Sequence, residues 1–215
     1  MRPALIALAI ASCFSAVSAH AKPQTSTKYQ YYSVSGNTAL EVYRSMLSRG
    51  PRVNGAKAYA ATSAQSSQAG FLVQGQSCRI KDYRFKIDFV VKLPKVTNEG
   101  RLPPLLRSKW KEFAAFVRKH EDTHRAIWMG CAKDFEARVA SMKSGDCDAL
   151  DARAAQLWSQ IRKQCDLKHQ AFDAAQQKLL VGHPFIKLVL GTARPGAPKV
   201  SIDDSGGRSS AALAN

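Results

Sequence analysis

His120 and His124 stand four residues apart, with Glu121 directly after the first, and so form a His-Glu-x-x-His run. An α-helix turns about 100° per residue, so side chains four apart lie one turn above each other on nearly one face. On a helix both imidazoles could bind one metal ion, and Glu121 could reach a water held in an open position on that ion. Such a run is a signature of zinc-dependent hydrolysis when it lies on a helix, which makes the surrounding residues decisive.

Trp110, Phe113, Val117, Ile127, Cys131, Phe135 and Met142 recur around the histidines at steps of mostly three and four. That period predicts a helix and sets His120 and His124 in an inward-facing apolar stripe. An unpaired polar group buried there costs on the order of 1–3 kcal/mol. A shared metal would satisfy both rings. The plain alternative is two histidines hydrogen-bonded within an ordinary core.

Ser108 is the expected cap of this helix, which should run to about Lys143, and Ser144-Gly145-Asp146 reads as a turn. Asp146 or Asp148 can cap a second long helix, with Leu150, Leu157, Ile161, Cys165, His169 and Phe172 among the residues of one face. Gly182-His183-Pro184 breaks it, and His183 reads as a loop residue. Two apolar-faced helices joined by a short turn should fold back antiparallel. Facing positions in such a hairpin have a nearly constant sum of residue numbers. The pairs Cys131 with Cys165, His124 with His169, and His120 with Asp173 agree within one turn. On that register His169 is the candidate third metal ligand, and Asp173 accepts the free N–H of His120 and fixes its tautomer. The two roles are open to exchange. The same register pairs Cys131 with Cys165 and leaves Cys78 to tie the sheet to the turn through Cys147.

The first half reads as strands. Tyr83, Phe85, Ile87, Phe89, Val91 and Leu93 alternate with polar residues up to Pro94, a clear period of two. Shorter strands are expected over residues 28–35, 56–62 and 69–74, and a short helix capped by Asn37 or Thr38 ends at Gly50-Pro51. The expected fold is therefore α+β: a small antiparallel sheet with one short helix, packed on the helix hairpin that carries the motif. Sheet part 28–95 and hairpin 104–182 would form one zincin-like domain over residues 22–190.

Residues 1–21 read as a secretory signal, with Arg2, an apolar run too short to span a bilayer, and the cleavage site Ala19-His20-Ala21. A weak acylation box ending at Cys13 ranks second. No other stretch reads as a membrane helix. Residues 191–215 are rich in Gly, Ala, Pro, Ser and Asp, and read as a disordered tail. Export to a bacterial periplasm, or secretion, makes disulfides the better reading of Cys78, Cys131, Cys147 and Cys165, since no Cys-x-x-Cys is present. The net charge is +16, but the basic residues are scattered. With a signal and no nucleic-acid motif, a basic solvated surface is expected rather than nucleic-acid binding.

Trp110 leading into His120-Glu121-x-x-His124, then Asp146-Cys147 and Phe172-Asp173, resembles an uncharacterised family of secreted bacterial proteins. That family is usually described as zinc-dependent proteases containing a domain of unknown function, and the resemblance covers roughly residues 28–184. It implies that His120 and His124 are ligands and Glu121 the general base. Where the family pattern leads from its aromatic-Asp pair into a Thr and a His-Gly, this chain has Gln176, Lys178 and Leu179. The run is not a metzincin's, because Ile127 and Gly130 stand where a glycine and a third histidine would be. A thermolysin-like layout is nearer, with His169-x-x-x-Asp173.

The expected function is a periplasmic or secreted Zn2+ metallohydrolase acting on protein or peptide. The rival is a non-catalytic envelope protein, with a structural metal or none and the hairpin as a partner surface.

Overall fold

The computed structural model describes residues 23–192 apart from Asn54; the expected signal segment and residues 193–215 of the expected tail lie outside them. Strand β1 (Gln24–Val34) is followed by helix α1 (Ala39–Arg49), the short pair β2 (Arg52–Val53) and β3 (Ala56–Lys57), and the long strands β4 (Ala61–Val73) and β5 (Cys78–Val96). Helix α2 (Pro104–Ala140), the bridge strand β6 (Lys143–Ser144), and helices α3 (Cys147–Val181) and α4 (Pro184–Thr192) complete the order. The fold is α+β.

The sheet is mixed rather than antiparallel, a correction to the expectation. Its order is β1-β5-β4: β4 pairs antiparallel with β5, while β1 runs parallel to it from Gln24 opposite Lys86 to Val34 opposite Val96. Parallel neighbours need a crossover, and α1 with the chain up to β4 supplies it. Residues 56–62 and 69–74 are not two separate strands. β4 passes through the polar stretch between them, because β5 offers a partner along that length and Ala64 finds a core position. Pairing and burial override the weak strand propensity of Ser and Gln. β5 likewise continues past Pro94 to Val96, where β1 is its remaining long neighbour, and sheets tolerate proline at such positions.

Helix α1 starts at Thr38, which closes a capping box with Glu41. α2 begins four residues before Ser108, at Pro104, whose fixed φ and missing N–H suit a first helical turn. Ser108 instead donates to Glu112 at 3.3 Å. α3 is capped by Asp146, which accepts from the Ala149 amide at 2.8 Å. The break at 182–184 opens another helix. His183 accepts from the Phe185 amide at 3.2 Å through Nδ1, and α4 buries Phe185, Ile186 and Val189.

Two apolar clusters flank α2. One joins α1, α4, the end of β5 and the first half of α2, with Trp110, Phe113, Val117 and Leu180. The other joins the middle of β5 with later turns of α2 and early turns of α3, around Phe85, Trp128, Phe135, Trp158 and Cys165. α2 and α3 lie side by side in opposite directions, so Cys131 meets Cys165 and, further back along α2, His124 meets His169. Cys131–Cys165 and Cys78–Cys147 are both disulfides. No helix among the described residues is long and apolar enough to cross a membrane.

Candidate metal and catalytic site

Between Val117 and Trp128 the buried face of α2 turns polar, at Glu121 and His124. α3 does the same between Cys165 and Leu180, at His169. Thr62 of β4 reaches the same level. Five buried residues are polar or charged among those described, and four of them, Thr62, Glu121, His124 and His169, are gathered here. Polar groups are rarely buried without a compensating partner, so this seam between the two clusters marks the site.

His120 Nε2 and His124 Nε2 lie 2.9 Å apart, and Asp173 Oδ1 lies 3.3 Å from the first and 2.9 Å from the second. Asp173 Oδ1 is shut off from solvent and has no donor aligned on it. On its other side, His124 Nδ1 faces His169 Nδ1 at 2.8 Å, and His169 Nε2 faces Cys165 Sγ at 3.9 Å. A half-cystine sulfur cannot donate, so in that contact His169 Nε2 would be the donor. Of the facing Nδ1 atoms of His124 and His169, one must donate to the other. The Nε2 atoms of His120 and His124 and Oδ1 of Asp173 thus converge on one point.

That arrangement fits a cation. Ligand atoms about 2.0–2.1 Å from zinc at tetrahedral angles stand about 3.3 Å from one another, close to the observed separations. His120, His124 and Asp173 are the described residues whose donor atoms group in this way. His169, the expected third ligand, stands behind His124 instead, and Asp173 takes the converging position. Phe172 packs against both imidazoles, at 4.8 Å from the ring of His120 and 5.1 Å from that of His124.

Glu121 is held from the sheet side. Thr62 donates its hydroxyl to Glu121 Oε2 at 2.7 Å. Burial pushes the Glu121 carboxyl above the usual range, against the pull of His120, His124 and Thr62. Burial would raise Asp173 too, but the two imidazoles outweigh it and hold that carboxyl low. His169 is pushed down to about 4, chiefly by burial and then by His124. On the flank, Tyr29 of β1 donates to Asp122 at 2.7 Å and Arg125 donates to both, which pins α2 to the sheet beside the site.

A cleft opens onto His120, Glu121 and Asp173, with Tyr59 and Ala60 from the approach to β4 and Gln176 and Gln177 from α3. Sequence reasoning missed Thr62 and these four. Gln176 and Gln177 follow Asp173 by three and four positions and were open to the helical arithmetic. Thr62 had no such signal, being a lone residue in a run of Ala, Ser and Gln.

Residues 29–182 match the family model described as "Bacterial protein of unknown function (DUF922)". The chain belongs to that family. No curated protein and no solved structure matches it. The DUF922 match runs from within β1 to just past α3, so it contains every member of the cluster and both disulfides and leaves α4 beyond its end.

Proposed function

We propose that this DUF922 protein is a zinc-dependent hydrolase that cuts amide bonds in polypeptides, and that it works in an oxidising compartment after export. The carrying observation is the convergence of His120, His124 and Asp173 beside a buried Glu121 at the end of a cleft. Zinc held by these three residues would polarise the scissile carbonyl and lower the pKa of its water to about 7.

The chain's own part follows from the geometry. By accepting from His124 Nδ1, His169 would set the tautomer in which Nε2 ligates the metal, the role of an outer partner to a metal ligand. Thr62 occupies Glu121 Oε2, so Oε1 is the atom that takes the water's proton and returns it to the leaving amine. Burial raises the affinity of that carboxylate for the proton, which suits a base working near neutral pH. Two histidines with one carboxylate also serve iron in oxygenases. Glu121, next to the ligands and buried, favours hydrolysis.

Two measurements test the reading. Elemental analysis of purified protein should find about one zinc per chain, and His124→Ala should lose it. Glu121→Gln should retain the zinc and lose peptide hydrolysis by 10²-fold or more, on the order of general-base contributions. Absence of metal, or activity that survives Glu121→Gln, removes the mechanism and leaves a non-catalytic envelope protein as the reading.

A further inference from the structure

The cleft is not polar throughout. One turn before His120 and Glu121 on α2 stand Phe116 and Val117, and one to two turns after Asp173 on α3 stand Gln176, Gln177 and Leu180. Because the helices run in opposite directions, both steps lead the same way, toward the α4 end and away from the Cys131–Cys165 bridge. A helical turn rises 5.4 Å, so the apolar wall begins about one residue's reach from the reacting groups.

Val117 and Leu180 are buried members of the first apolar cluster, and Tyr59 and Ala60 close the wall from the sheet side. Apart from His120, Glu121 and Asp173, the lining includes no charged side chain. A charged group seated against Val117 and Leu180, beyond those three, would lose its hydration without an ion-pair partner. Gln176 and Gln177 are half-buried in that lining, and among the described residues neither amide is bonded to the protein. Each side-chain amide offers a donor and an acceptor, which matches a peptide group.

We infer that this cleft is a specificity subsite for an apolar side chain on the residue flanking the bond that is cut. The inference rests on the hydrolase reading and adds the class of substrate to it. Val117 and Leu180 supply the contact surface, and Gln176 and Gln177 bind the adjoining main chain.

The test is cleavage of a defined peptide library by the zinc-loaded protein, read by mass spectrometry, for wild type, Leu180→Ala and Gln177→Lys. In wild type, one position flanking the cut should favour Leu, Phe or Met over Asp and Lys by at least tenfold in kcat/KM, in line with hydrophobic discrimination of roughly 10–200-fold. Leu180→Ala should reduce that preference. Gln177→Lys, a half-buried rim change that leaves the core intact, should raise cleavage beside Asp and Glu several-fold. Cleavage with no residue preference at either flank, or a preference that both variants leave unchanged, overturns the subsite while the hydrolase reading stands. A zinc-loaded wild type that cuts no peptide overturns both.

Discussion

The imidazole of His124 faces two ways at once, toward His120 and Asp173 through Nε2 and toward His169 through Nδ1. On the metal-site proposal the inner contact sets the tautomer of His124, so His169 should govern metal affinity without touching the metal. His169→Leu removes the acceptor and should weaken zinc binding by about 10–100-fold, the usual cost of losing such a partner. His169→Gln keeps an acceptor and should recover most of it, as competition with a chromogenic chelator would show. Equal loss in both variants would mean that His169 only fills space. The same residue makes a pH signature in the metal-free protein. Its folded pKa of about 4 lies below the ordinary histidine value near 6.5, so the unfolded chain binds the proton first as pH falls. Stability should be full above about pH 6.5 and decline from there toward pH 4. Denaturant midpoints measured across that window should fall less steeply for His169→Gln.

At the scale of elements, α2 and α3 carry the site and one bridge sets their spacing. Cys165 lies one turn before His169 on α3, and its partner Cys131 lies two turns beyond His124 on α2. Replacing both cysteines by alanine should cost about 2–4 kcal/mol of stability, typical of a native disulfide. It should also weaken zinc binding more than loss of Cys78–Cys147, which ties β5 to the start of α3 away from the cluster. Thermal melts and zinc titrations on the two double variants would separate the effects. What was legible in the sequence at this scale was what is local. The His-Glu-x-x-His spacing, the alternation of Phe85, Ile87, Phe89 and Val91, and a cap for α1 at Asn37 or Thr38, which the fold resolves to Thr38, each depend on a few neighbouring residues. Thr62 meets Glu121 across 59 positions, and no pattern announces it. The parallel placement of β1 was hidden for the same reason, since strand direction depends on where the crossover goes. α4 was read as chain after a break, because Gly-His-Pro both ends one helix and starts the next.

Taken as a whole molecule, the protein places a polar seam between two apolar clusters and braces it from opposite sides. The four cysteines of the described residues are joined in interleaved order, so each bridge encloses one end of the other. If these four were oxidised as fast as they emerge, Cys78 would first couple to Cys131, and that couple occurs in neither native bridge. Escape from it requires attack by another thiolate through a mixed disulfide. Maturation is therefore a race between folding and premature oxidation. The amount of correctly assembled protein recovered from an oxidising host should follow the supply of a reshuffling isomerase more closely than the rate of synthesis.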